Sequence, residues 1–169
     1  MLDRINKVQQ DILDASVFNS EMCNEFAEAF TPPEWVDAQL DKFDTSIWSD
    51  PTKTNIDFCA GKGNYPIRVV RRFFNGLVEV IPNEEERLRH IIGNQIFMCE
   101  MQTISVNFIR DKFTFGLDNM KINLFHGNSL ELPNDWFDKP WSKREKIMKN
   151  NPYGYNINKA TSDLFDLFG

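Results

Sequence analysis

Apolar residues first recur in steps of three and four along the chain. Leu2, Ile5, Val8 and Ile12 share one helical face, and Met22, Phe26 and Phe30 continue the spacing, which predicts one or two amphipathic helices. Thr31-Pro32-Pro33 interrupts them. The pattern returns from Glu34 to Phe43 through Val36, Leu40 and Phe43, with Pro33 suited to a first helical turn, and Ser49-Asp50-Pro51 then makes a turn. There the period changes. Asn55-Ile56-Asp57-Phe58-Cys59 predicts a short strand, Ala60-Gly61-Lys62-Gly63-Asn64 a glycine-bearing loop, and Ile67, Val70, Phe73, Phe74 and Leu77 the helix that follows.

Asn83 predicts a helix cap, with Glu84, Glu85 and Glu86 in the first turn, Arg87, Arg89 and His90 behind them, and Gly93 as the stop. Gln95-Ile96-Phe97-Met98-Cys99 is too apolar and too short for a surface helix. It predicts a buried parallel strand with Glu100 at its carboxyl end. Ile104, Phe108 and Phe113 mark another helix, and Lys121 to His126 a third strand that closes at Gly127-Asn128-Ser129. Alternating strands and helices make an α/β unit with a parallel sheet and right-handed crossovers. Beyond Leu130 the periodicity fails. The expected organisation is an N-terminal helical segment (1–50), a nucleotide-binding core (51–130) and an irregular basic and aromatic tail (131–169), whose Leu164-Phe165 and Leu167-Phe168 are expected to dock on the core.

With 169 residues, 41% of them apolar, the chain can bury one substantial core but not two. No run of about 18 uncharged apolar residues occurs, and the amphipathic opening MLDRINKVQQDILD is unlike an export signal, so a cytoplasmic protein with no membrane contact is expected. Cys23, Cys59 and Cys99 are odd in number and form no C-x-x-C pair, and His90 and His126 stand alone. Neither a disulfide framework nor a metal site is expected, and each cysteine reads as a small buried residue. The net charge of -6 opposes a phosphate backbone. Contact with DNA would fall to the stretch from Lys139 to Lys149, with Lys143, Arg144 and Lys146 between, which reads more readily as a solvated helix face.

Candidate chemistry gathers at the predicted strand ends, where open parallel sheets bind ligands. The first strand ends in Asp57 and the glycine loop, the second in Glu100, the third in Asn128. An acid at the second strand end can accept from ribose hydroxyls, and a carboxamide can pair with an adenine edge. Two phosphate loops fail on spacing. A P-loop would need glycine where Ile56 stands and a hydroxyl residue where Gly63 stands, and the dinucleotide fingerprint would need a third glycine at Pro66. The surviving reading is a loop for a nucleoside that needs no pyrophosphate cradle, such as S-adenosylmethionine.

From about Phe30 to Ser129 the chain resembles the class I S-adenosylmethionine-dependent adenine N6 DNA methyltransferases of restriction-modification systems and phages. Phe30-Thr31-Pro32-Pro33-Glu34 is similar to their F-T-P segment, Asp57 to Asn64 to their D-P-x-x-G-x-G-N/T loop, and Gly127-Asn128-Ser129-Leu130 to their G-D-x-L segment. The resemblance implies a Rossmann-like methyltransferase fold, α/β with a mostly parallel sheet and N-terminal helices, incomplete at its C-terminal side. It implies that Thr31 and Pro32 line the methionine end of the cofactor site. Asp57, Gly61 and Gly63 would surround the methionine moiety, with Cys59, Ala60 and Asn64 in the same loop. Glu100 would hold the ribose, and Asn128 the adenine amine.

Phe58 replaces the usual proline and Asn128 the usual acid. For the catalytic N/D-P-P-Y/F motif the candidate is Asn150-Asn151-Pro152-Tyr153, in which Asn150, Pro152 and Tyr153 would serve a flipped adenine. Its approach, Ser142 to Lys149, is too charged for a buried strand. Two functions follow from the resemblance. One is methyl transfer to adenine N6 in DNA. The other is a catalytically inactive relative, either a split-enzyme subunit or a phage anti-restriction module, in a bacterial or phage-infected cell. A protein partner or second copy is expected to cover the sheet edge in either case.

Overall fold

In the computed structural model, which describes residues 1–17 and 30–150, three parallel strands lie in the order in which the chain makes them. Strand β1 (Asn55–Asp57) pairs with β2 (Ile96–Glu100), Ile56 opposite Phe97, and β2 pairs with β3 (Leu124–His126), Glu100 opposite His126. Successive strand side chains point to opposite faces. Ile96, Met98 and Leu124 therefore enter one core, while Phe97, Cys99 and Phe125 enter another. Every residue of β2 is buried, as a central parallel strand covered on both faces requires.

Six α-helices surround this sheet among the described residues. Five belong to the first face: α1 (Leu2–Val17), α2 (Pro33–Leu40), α3 (Asn64–Gly76), α4 (Glu84–His90) and α5 (Thr103–Lys112), which bury Ile5, Val36, Ile67, Leu88 and Ile109 among others. Asn83 caps α4, its Oδ1 accepting from the amides of Glu85 and Glu86 at 3.0 Å each. Arg68 pairs with Asp37, and Arg72 reaches Asp37 and Asp41 at 2.9 and 2.5 Å, fixing α2 along α3. At Gly76 an added Cβ would lie 2.4 Å from the Trp48 carbonyl oxygen, so only glycine lets α3 end against the 3-10 turn Thr45–Ser49.

Element bounds shift where polar side chains intervene. β1 stops at Asp57 because its Oδ1 accepts from the Cys59 amide at 3.0 Å and turns the chain, so Phe58 and Cys59 belong to the loop. β3 begins only at Leu124. The fully buried Asn123 points its Nδ2 at the carbonyls of Ile92, Gly93 and Ile96. Gly93 does not stop a helix: α4 ends at His90 and passes into a π-turn, Ile91–Gln95, that contains Gly93.

The largest departure is beyond Leu130, where an irregular tail was expected. Residues 132–148 form the layer over the second face of the sheet. Leu132, Trp136 and Met148 are buried against Phe97, Cys99 and Phe125, and α6 (Trp141–Asn150) is a regular helix. Periodicity concealed this because a cation occupies a core position. Arg144 is 7% exposed, lies 5.1 Å from the Phe97 ring centroid and donates from Nη2 to the Gly93 carbonyl at 3.0 Å. Met22, Phe26 and the apolar pairs at 164–168 fall outside the described residues.

Candidate cofactor site

The site starts where β1 ends. Beyond Asp57, the Ala60 amide donates to the Cys99 carbonyl at 2.9 Å and the Gly63 amide to the Ala60 carbonyl at 2.8 Å, which folds the loop over the end of β2. Gly61 and Gly63 both have left-handed backbones, φ +52° and +94°, for different reasons. A Cβ on Gly61 would meet nothing within 4 Å, so there the backbone conformation alone demands glycine and the space above stays open. A Cβ on Gly63 would lie 2.7 Å from Phe113 Cε2, so α5 presses directly on the loop.

Glu100 holds that loop. Its Oε2 accepts from the Gly61 amide at 2.7 Å, and its Oε1 from the amides of Met101 and Gln102 at 2.9 and 2.7 Å. A carboxylate has about four acceptor positions, so three backbone donors leave it nearly saturated. It is 8% exposed and does not line the cavity described next. Asp57 is in a different state. Burial first, and the charge of Glu100 second, push its carboxyl above the usual range, while the Cys59 amide opposes the shift. An acid so placed favours a cationic neighbour.

Beside it opens a cavity of about 350 Å³, near the small end of the roughly 300–1,000 Å³ range of ligand clefts. Of the expected cofactor residues, Thr31, Asp57, Cys59, Ala60, Gly61 and Asn64 line it. Gly63 lies behind the wall against α5, and Pro32 is the residue before α2. Asn128 lies at the far strand and caps the 3-10 turn Ser129–Glu131, its Oδ1 accepting from the Leu130 amide at 3.0 Å. Sequence reasoning missed Ser16, Gln39 and Tyr65, which also line the cavity. Tyr65 adjoins the loop, but nothing local marks Ser16 or Gln39.

Asn150 is the last residue of α6, whereas Pro152 and Tyr153 fall outside the described residues. Arg144 turns into the core, Lys139 pairs with Asp135, and Lys143 and Lys146 are exposed. His126 is buried at the end of β3, its pKa lowered by burial and then by the charge of Arg110. No group of three or more His, Cys, Asp or Glu suited to a metal ion occurs among the described residues, nor is any described helix long and apolar enough to cross a membrane.

No family model matches the sequence. Over 86 residues the chain is 32% identical to a protein of Mycoplasma pneumoniae named an uncharacterized adenine-specific methylase. The match takes in 49% of this chain and 20% of that protein, so the chain spans about a fifth of the relative's length.

Proposed function

We propose that the chain binds S-adenosylmethionine at the carboxyl end of β1 and takes part in methyl transfer to adenine N6 in DNA. The carrying observation is the glycine loop, pinned by Glu100 and open above Gly61, with the half-buried Asp57 on the wall of a cavity. These residues fit the cofactor. Asp57 would face the methionine ammonium, whose charge offsets the cost of ionising a partly desolvated acid. Gly61 leaves room for close approach, Thr31 and Asn64 line the wall, Glu100 acts by holding the Gly61 amide in place, and Asn128 stands at the third strand end for the adenine. When bound, the cofactor supplies a methyl group already activated on a sulfonium. The protein's part is to position it and exclude water.

Topology supports this location. Helices α3, α4 and α5 cover one face of the sheet and α6 the other. By the right-handed crossover rule, a strand following a helix on the second face lies beside β1 rather than beyond β3. Strand order would then reverse at β1, and ligands of such sheets bind where it reverses.

The same feature favours a second reading. Among the described residues nothing pairs with the outer edge of β1, and Asn150 ends a helix rather than an apolar strand. A split enzyme whose catalytic strand comes from a partner chain would look like this. Isothermal titration with S-adenosylmethionine tests the cofactor site: measurable affinity reduced about tenfold or more in Asp57→Ala is expected, and no heat at millimolar ligand overturns the proposal. Methyl transfer to adenine in DNA by the purified chain then selects the first reading. Binding without transfer selects the second.

A further inference from the structure

Lys62 sits between the two left-handed glycines and lines the cavity, and its ammonium is tied to another element. Nζ donates at 3.1 Å to the carbonyl of Ala15, in the last turn of α1. A carbonyl near the C-terminal end of a helix attracts a cation, and the last described turn of α1 carries no basic residue of its own. Ser16, the next residue along, lines the cavity, its hydroxyl folded back onto the Ile12 carbonyl at 2.7 Å. Two residues beyond Lys62, Asn64 donates from Nδ2 at 2.7 Å to the carbonyl of Thr31, which lines the opposite wall with Phe30. Between them Gly63 is backed by the Phe113 ring, so the base of the two struts cannot slide toward α5.

We propose that Lys62 is a positioning residue for this cavity, one that ties α1 to the glycine loop and so fixes the Ser16 wall relative to Gly61 and Asp57. The inference rests on the cofactor reading above and adds to it a residue that need not touch the ligand. A second effect follows from the charge. While Lys62 is held by the Ala15 carbonyl, its ammonium is kept off Asp57, which then remains available to a cationic ligand.

The test compares the wild-type chain with Lys62→Met and Lys62→Arg. Loss of a hydrogen bond from a charged donor at a half-buried site is expected to weaken S-adenosylmethionine binding about three- to tenfold in the Met variant, with most of it restored by Arg. Amide hydrogen exchange without ligand supplies an independent readout. Peptides covering residues 11–17 and 58–65 should exchange several-fold faster in Lys62→Met, while the β2 peptide 96–100 stays unchanged. Equal acceleration in all three peptides, or failure of Arg to rescue, would mean that Lys62 serves global stability only and would overturn the proposal. So would unchanged exchange throughout. If the wild-type chain binds no cofactor while the two peptides still respond to Lys62, the tie stands as structure and the cofactor reading alone fails.

Discussion

Asp57 is a half-buried acid whose ionisation the fold opposes, and this sets a pH dependence of definite sign. Its raised pKa means that the folded state favours the protonated form, a contribution to stability present at low pH and lost as pH rises through that pKa. A cationic ligand needs the ionised form. Affinity for S-adenosylmethionine should therefore fall as pH drops through the pKa of Asp57 and level off above it, and Asp57→Asn should abolish the slope in titrations at stepped pH. The same variant should melt higher than wild type at neutral pH, because its carboxamide oxygen can still accept from the Cys59 amide without a charge to bury. The cysteines offer a second contrast. Burial pushes the Cys99 thiol up to about 12, whereas Cys59 is exposed on the cavity wall. In a Cys23→Ala background, iodoacetamide should label Cys59 and leave Cys99 intact until the protein unfolds, with S-adenosylmethionine slowing the labelling, as peptide mass spectrometry would show.

Among the elements, the glycine loop and its flanking helices were the most legible in sequence, since glycine spacing and the switch from period two to period 3.6 are local signals. Gly63→Ala should cost about 2–4 kcal/mol in denaturant unfolding, through its clash with Phe113 and its left-handed backbone. What the sequence concealed depends on distant partners. Glu100 was recognisable as a strand-end acid, but its use as a clasp for the Gly61 amide needs the register of β1 on β2. Asn123 shortens β3 by serving three carbonyls that the linear pattern does not bring near it. The segment after Leu130 read as irregular because Arg144 and the prolines break its period, although Trp136 is fully buried and stacks edge-on with Phe97 and Phe125 at 5.5 and 6.4 Å. Truncating it tests how far that layer belongs to the core: Trp136→Ala should destabilise by about 3–5 kcal/mol. Trp136→Phe should cost much less, because the indole N–H has no acceptor among the described residues.

At the scale of the whole molecule, the strands stand side by side in the order of their synthesis, and the joints of the site span a few tens of residues each. The clasp from Glu100 to Gly61 spans 39 positions, and the anchor of α6, Arg144 on Gly93, spans 51. Closing such loops costs only about 1 kcal/mol more than closing loops a quarter as long, because the entropy cost grows with the logarithm of loop length. During translation, the loop at the end of β1 can thus be clasped once β2 has left the ribosome, before α6 is made. The clasp of the glycine loop thus needs no residue beyond Glu100, while the layer built from residues 132–148 covers the opposite face of the sheet and takes no part in the cavity wall.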